Sequence, residues 1–157
     1  MIAAVVDTNI VVRGAIASHP NSASKSVVDA IFAGSFLLLL SRETLLEIQR
    51  VLADEQIRAL HGWSDESILS YCRALEVQGR VIETTTVVSP SLTRDVTDTK
   101  FVALATDGQA DYLVTLDHRH LGRLKTVGKA KVVTPAKFIL VLKHSTKDVN
   151  GGSHGLP

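Results

Sequence analysis

Acidic side chains follow two of the apolar runs that are typical of buried strands. Asp7 follows the β-branched run 2–6, and Asp117 follows the run 112–115. In an open parallel sheet the ligand crevice lies outside the carboxyl ends of the strands, beside the point where the strand order reverses. If the two strands are neighbours, the carboxylates converge, and their oxygens suit Mg²⁺ or Mn²⁺. The alternative for either residue is an aspartate that starts a turn or caps the next helix.

Asp98 is a third candidate because of its position on a predicted helix, 98–106. At 100° per residue it lies on the arc of Phe101, Val102 and Ala105, which is the buried side. A carboxylate buried there needs a cation, a metal or backbone donors. The alternative is that Asp98 is the helix N-cap and accepts a hydrogen bond from the amide of Phe101.

Glu47 lies on a helix that Ser41 is expected to cap. It falls on the flank of that helix, away from the apolar stripe. The pattern alone therefore favours an exposed i,i+3 pair with Arg50. Glu43, on the same helix, is the alternative candidate for a functional role.

Charge is distributed unevenly around these residues. Segment 95–117 contains five aspartates against one basic residue, Lys100, whereas segment 118–131 contains five basic residues and no acid. This arrangement predicts an acidic pocket beside a basic lip, which is what a phosphate backbone needs to approach a cluster of carboxylates. The alternative is a solvated loop with ordinary charges. The basic residues are Arg119, Arg123, Lys125, Lys129 and Lys131.

The wider pattern predicts alternating β and α elements and therefore a parallel α/β sheet. We expect one domain over 1–143, with a hairpin of helices capped by Ser41 and Ser64, and a flexible tail over 144–157 that is rich in glycine. The predicted strands are 2–6, 36–40, 80–83, 112–115 and 131–133, and the other helices are 24–32, 98–106 and 136–142.

Composition limits the class of protein. The 157 residues are 45% hydrophobic and 21% charged with a net charge of +1, which excludes disorder and a global field for nucleic acid or lipid. The single cysteine, Cys72, excludes an internal disulfide and a thiolate zinc site, so we expect a cytoplasmic protein. No apolar run is long enough to span a membrane, so we expect no membrane partner. His118 and His120 are expected to be surface residues.

The ordered set of motifs resembles the PIN domain, in particular bacterial PIN-family toxin components of type II toxin-antitoxin systems. The motifs are Asp7-Thr8-Asn9, a helical glutamate at 47, the stretch 95–105 around Asp98, and 110–117. The resemblance covers about 1–143. It implies a three-layer α/β/α sandwich around a five-stranded parallel sheet in the order 3-2-1-4-5, with the strands that precede Asp7 and Asp117 adjacent.

The resemblance also implies a function, a metal-dependent endoribonuclease that hydrolyses single-stranded or looped RNA with Mg²⁺ or Mn²⁺. It implies an antitoxin protein as partner, and a homodimer is possible. The sequence departs from the family pattern at two positions: Val96, where many relatives have proline, and Thr99, where some have another acid. The implied catalytic and metal-binding residues are Asp7, Glu47, Asp98 and Asp117, the supporting residues are Thr8, Asn9, Asp95 and Thr115, and the RNA-binding residues are Arg119, Arg123 and Lys125.

Two alternatives compete with the nuclease hypothesis. A PIN-like fold could bind RNA or a protein without catalysis, although four site carboxylates serve no purpose in attracting phosphate without a metal. An aspartyl-phosphate phosphohydrolase also begins with an aspartate after its first strand. Its second acid, two residues on, is absent here because that position is Asn9.

Overall fold

The protein forms a six-stranded sheet in the order β3-β2-β1-β4-β6-β5. The coordinates are a computed structural model, and it describes residues 1–89, 98–117, 119 and 121–150, with the side chains of 149 and 150 left out. Strands β1, β2, β3, β4 and β6 run parallel, and β5 pairs antiparallel with β6. The strands are β1 Ala3–Val6, β2 Leu37–Leu40, β3 Arg80–Val81, β4 Tyr112–Val114, β5 Thr126–Val127 and β6 Ala130–Val133.

Helices cover both faces of this sheet. The side chain of Val5 packs with α6 on one face, whereas those of Ala4 and Val6 pack with α1, α2, α3, α5 and α7 on the other. This alternation follows from the two-residue repeat of a strand and produces three layers. The helices are α1 Thr8–Ile16, α2 Ala23–Phe32, α3 Arg42–Ala53, α4 Glu55–His61, α5 Asp65–Gln78, α6 Thr99–Asp107 and α7 Pro135–Asn150.

The expected fold class is confirmed, with one additional strand. The five parallel strands have the predicted order, and β1 and β4 are neighbours. The additional strand, β5, precedes β6 in a tight hairpin in which Gly128 has a φ of +57°. The residues Thr126 and Val127 are too few to show a period in the sequence, which is why the strand was not predicted.

Two helices were also not predicted. Helix α1 begins directly after Asp7 and holds buried side chains at Ile10, Val11 and Val12, a consecutive apolar run that does not show helical spacing clearly. Helix α4 has no buried residue and begins after Asp54, whose carboxylate caps it. Helix α5 follows it, so three helices separate β2 from β3 in place of the predicted pair.

The last helix is longer than expected. Residues 136–142 were predicted to be helical, and α7 continues to Asn150. The first half of the predicted flexible tail, 144–150, is therefore helical, which corrects that expectation. The residues after Leu142 are mostly polar, so hydrophobic periodicity did not predict that the helix continues beyond this residue. Residues 151–157 lie outside the described part of the chain.

Close packing of α1 on α2 depends on Gly14. A Cβ atom at this position would lie 2.5 Å from the carbonyl oxygen of Ser24 and would overlap the side chain of Val28. Helix α1 begins directly after Asp7, so the contact with α2 also positions the helix that Asp7 caps.

We expect Gly14→Ala to destabilise the protein by about 1–3 kcal/mol, the usual cost of overpacking. At an exposed helix position, Gly→Ala instead stabilises a protein by roughly 0.5–1 kcal/mol. Close packing at Gly14 therefore reverses the sign of the expected change in stability. Urea unfolding of wild type and variant measures the difference. A higher urea midpoint in the variant would show that α1 and α2 do not approach closely.

No helix among the described residues is long and apolar enough to cross a membrane.

Candidate active site

The site is centred on Asp7, at the carboxyl end of β1. Its backbone N–H donates to the carbonyl oxygen of Val114 at 2.9 Å, which continues the β1–β4 ladder to the edge of the sheet. The side chain is buried, with 7% exposure. Its Oδ1 accepts a hydrogen bond from the amide of Asn9 at 3.4 Å and so caps α1. The capping alternative is therefore correct in part, and it uses one of the two carboxylate oxygens.

Thr115 connects Asp7 to Asp117. Its hydroxyl donates to Asp7 Oδ2 at 2.9 Å and accepts from the Asp117 amide at 3.0 Å. Thr115 itself is buried, so water does not compete for these bonds. The Asp117 carboxylate is half-buried, and its Oδ1 accepts from the amide of Arg119 at 2.9 Å. The predicted convergence of Asp7 and Asp117 is thus organised by one threonine.

Glu47 reaches the same region from α3. Thr8, the first residue of α1, donates its hydroxyl to Glu47 Oε2 at 2.7 Å. The other oxygen, Oε1, lies 3.1 Å from Lys100 Nζ and 3.9 Å from Arg50 Nη2. The Glu47 side chain is 16% exposed. The exposed i,i+3 pair that the pattern favoured is therefore present only as the longer contact of a largely buried carboxylate.

Asp98 is buried at the start of α6, with 9% exposure. Asp98 is the N-cap residue of α6, as the alternative predicted, but among the described residues its side chain makes no capping hydrogen bond to the first turn. Lys100, two residues along, brings this turn of α6 against Glu47 of α3. Asp98 therefore lies at the same end of α6 as the lysine that pairs with Glu47.

The pKa of Asp7 is raised mainly by burial and, to a smaller extent, by the neighbouring acids. Burial raises the pKa of its carboxyl group above the ordinary 3.8, and the hydrogen bonds from Thr115 and Asn9 oppose that rise. The negative charges of Glu47 and Asp117 raise the pKa further. Glu47 and Asp117 are therefore close enough for their charges to act on Asp7.

The donor set fits a hard divalent cation in its chemistry. The candidate ligands are carboxylate oxygens, and the raised pKa of Asp7 indicates negative charge that a cation would relieve. Within the described residues, however, no three His, Cys, Asp or Glu side chains already stand together as a metal-binding group.

Other predicted residues have varied positions. Asn9 is exposed, and its contact with the site is made by its backbone amide. Arg119, Arg123 and Lys125 are exposed after β4, so they are accessible to a ligand. Asp95, with His118 and His120, lies outside the described residues.

The predicted acidic pocket has fewer members than the charge count indicated. Asp107 lies at the other end of α6, where it accepts hydrogen bonds from Thr85 and Thr86. Asp111 precedes β4, where it accepts from the amide of Ala3 and pairs with Lys129. Both aspartates are at the opposite ends of their elements from the site. The charge count overestimated the number of acids at the site because it did not consider at which end of its element each acid lies.

Lys100 is a residue of the candidate site that sequence reasoning missed. It was counted only as the single basic residue among five aspartates. In the structure its Nζ contacts Glu47 and lies 5.2 Å from the centre of the Phe101 ring. It also lines a cavity of about 300 Å³ with Glu43, Glu47 and Arg50. The signal was available, since an isolated lysine beside a buried acid commonly serves as its partner.

Comparison with known families agrees with this architecture. The family model described as PIN domain matches residues 3–119. The chain therefore belongs to the PIN-domain family, whose fold is of the nuclease type. Searches of the curated proteins and of the solved structures gave no match.

Proposed function

We propose that the protein is a divalent-metal-dependent endoribonuclease that hydrolyses RNA phosphodiesters. The observation that supports this most is buried Asp7, held at the carboxyl edge of a PIN-domain sheet between the charges of Glu47 and Asp117. A buried carboxylate whose charge is disfavoured by other carboxylates is typical of a site that receives a cation. Asp98, buried nearby on α6, is the fourth proposed ligand.

Each residue of the site has a proposed role in this reaction. Asp7, Asp98 and Asp117 would hold Mg²⁺ or Mn²⁺, and Glu47 would complete the set or orient the attacking water. The bound ion would supply an acidified water and would offset charge on the non-bridging phosphate oxygens. Thr115 and Thr8 fix their carboxylates through the hydrogen bonds at 2.9 Å and 2.7 Å.

Lys100 has a proposed role in the approach of RNA. Its Nζ supplies positive charge at the acidic pocket, where a phosphate group would otherwise meet carboxylates alone. Lys100 lines the cavity together with Glu47, so its ammonium group would be available to a phosphate there if Glu47 helped to hold the ion. Arg119, Arg123 and Lys125 are proposed to contact the RNA backbone after β4.

The biological setting is proposed from the resemblance. We propose that the protein is the toxin component of a toxin-antitoxin system, that an antitoxin protein holds it inactive, and that its free form is a homodimer. The cytoplasmic location expected from the lone Cys72 stays a prediction.

The test is cleavage of a mixed pool of single-stranded RNA in Mg²⁺ or Mn²⁺, with EDTA and with Asp98→Asn as controls. Internal cleavage that requires the metal and is lost in the variant supports the proposal. Binding of RNA without cleavage would favour the non-catalytic alternative. Hydrolysis of a chromogenic aryl phosphate without RNA cleavage would favour the phosphohydrolase.

Thr115→Val provides a test of the bridging hydroxyl. We expect kcat/KM for RNA to fall by about 10–100-fold, the usual effect of removing a group that orients a metal ligand. The valine has the same shape but neither donates to Asp7 nor accepts from Asp117. Thr115→Ser, which keeps the hydroxyl, is the matched control and should retain most of the activity. Equal rates for valine and wild type would contradict the bridging role.

A further inference from the structure

A second cavity lies at the β6 edge of the sheet, outside the carboxylate site. It measures about 520 Å³ and is bounded by β4, β6, the segment 122–126 and the first turns of α7. Its apolar walls include Tyr112, Leu124 and Val141, and three lysines stand around it. The described residues that line it include no acid. The lysines are Lys125, Lys131 and Lys137.

These lysines are exposed cations without an acidic partner among the described residues. By contrast, Lys129, which follows Gly128 in the β5–β6 hairpin, pairs with Asp111 at 3.2 Å. Three cations around one cavity with an apolar wall favour a ligand that carries several negative charges and an apolar face.

Strand register places the lysines around the cavity. Tyr112 of β4 and Lys131 of β6 are paired neighbours, so their side chains lie on the same face of the sheet, the face that α7 covers. Lys137 lies in the first turn of α7, and Lys125 lies beside Val132, whose amide donates to its carbonyl oxygen at 3.1 Å. The cations therefore come from three separate elements around one opening.

One backbone turn joins this cavity to the carboxylate site. The amide of Gly122, which lines the cavity, donates to the carbonyl oxygen of Asp117 at 2.8 Å. A Cβ atom at Gly122 would overlap that oxygen, so the turn is closely packed. Gly122 therefore brings one side of the cavity against the backbone of Asp117, whereas Tyr112 and Lys131 lie toward the opposite ends of β4 and β6 from the carboxylates.

We propose that this cavity binds a nucleotide of the same RNA strand whose phosphodiester lies at the carboxylate site. Lys125, Lys131 and Lys137 contact the phosphates, and the base or ribose packs against the wall formed by Tyr112, Leu124 and Val141. The inference rests on the proposed function, because RNA is taken as the ligand of the neighbouring site. Among charged macromolecules, a nucleic acid strand combines repeated phosphates with flat apolar surfaces, as this cavity requires.

The test compares two triple variants with wild type. The first is Lys125→Gln, Lys131→Gln and Lys137→Gln together. The matched control removes three exposed cations that do not line the cavity, through Lys143→Gln, Lys147→Gln and Arg80→Gln. Binding of a labelled, single-stranded 2′-O-methyl RNA, which cannot be cleaved, is measured in EDTA by fluorescence anisotropy over a series of KCl concentrations.

We expect the cavity variant to bind this RNA at least about tenfold more weakly, with the slope of log affinity against log salt reduced by about 2, since each lost phosphate contact on a single strand removes about 0.7. The control variant should keep the wild-type slope. Equal weakening in both variants, wild-type affinity in the cavity variant, or no binding by wild type would each overturn the proposal.

A parallel assay separates this inference from the proposed function. Cleavage of ordinary RNA is measured with Mg²⁺ for the same proteins. Metal-dependent cleavage with an unchanged KM in the cavity variant would overturn the cavity proposal and leave the nuclease function intact. Binding that depends on the three lysines, without cleavage by wild type, would support the cavity and reject the nuclease function.

Discussion

Asp7→Asn is expected to lower the rate of metal-dependent RNA cleavage by at least about 100-fold, because a lost metal contact removes several kcal/mol of transition-state stabilisation. The same change is expected to raise the stability of the metal-free protein. Asparagine can still accept from the amide of Asn9, so the cap of α1 is kept, while a buried charge that Glu47 and Asp117 repel is removed. Initial cleavage rates and urea unfolding in EDTA measure the two effects.

The sign of the pH dependence follows from the raised pKa of Asp7. The folded protein disfavours the charged carboxyl group, so its contribution to stability is present below the unfolded pKa and is lost as pH rises through the folded pKa. Metal-free wild type should therefore lose stability from about pH 3.8 upward relative to Asp7→Asn, and the two curves should separate. A variant less stable than wild type at neutral pH would show that Asp7 is stabilised by the fold.

Glu47→Gln is the second change with a large expected effect. We expect at least about a 10–100-fold loss of kcat/KM, because the amide is a poor metal ligand and a poor base. It also removes the negative charge that pairs with Lys100 at 3.1 Å. Cleavage rates over a range of Mn²⁺ concentrations distinguish weakened metal binding, which excess metal restores, from a lost role with the attacking water, which it does not.

Glu43→Gln is the matched control for this prediction. Glu43 lies one turn earlier on α3, is exposed and lines the same cavity, yet only Glu47 receives the hydroxyl of Thr8. The control should keep near wild-type activity. Equal losses in both variants would assign the effect to the general charge of the cavity and would contradict the specific role of Glu47.

The sequence contained enough to predict the sheet and the two acids at its edge. Short runs such as 2–6 and 36–40, apolar throughout, indicate strands buried on both faces, and Asp7 and Asp117 follow their strands directly. The neighbouring positions of β1 and β4 came from the family resemblance, since a period along one strand does not specify its neighbour. The structure confirms that order.

The remaining parts of the site depend on tertiary contacts. Glu47 lies on the flank of α3, and its burial results from Thr8 of α1 and Lys100 of α6, which are far away in sequence. The bridge through Thr115 likewise joins residues 108 apart. Hydrophobic periodicity reports one element at a time, so it assigned Glu47 to an exposed pair. Local charge counts failed at Asp107 and Asp111 for the same reason.

The most direct test of the carboxylate site is titration of Mn²⁺ into wild type and Asp98→Asn without substrate, with Glu43→Gln as the control. Isothermal titration calorimetry reports binding without requiring the correct RNA. The account predicts saturable binding in wild type and Glu43→Gln, and affinity weakened at least about tenfold in Asp98→Asn. Equal binding in all three proteins, or none in wild type, would contradict a metal site built from these carboxylates in the free protein.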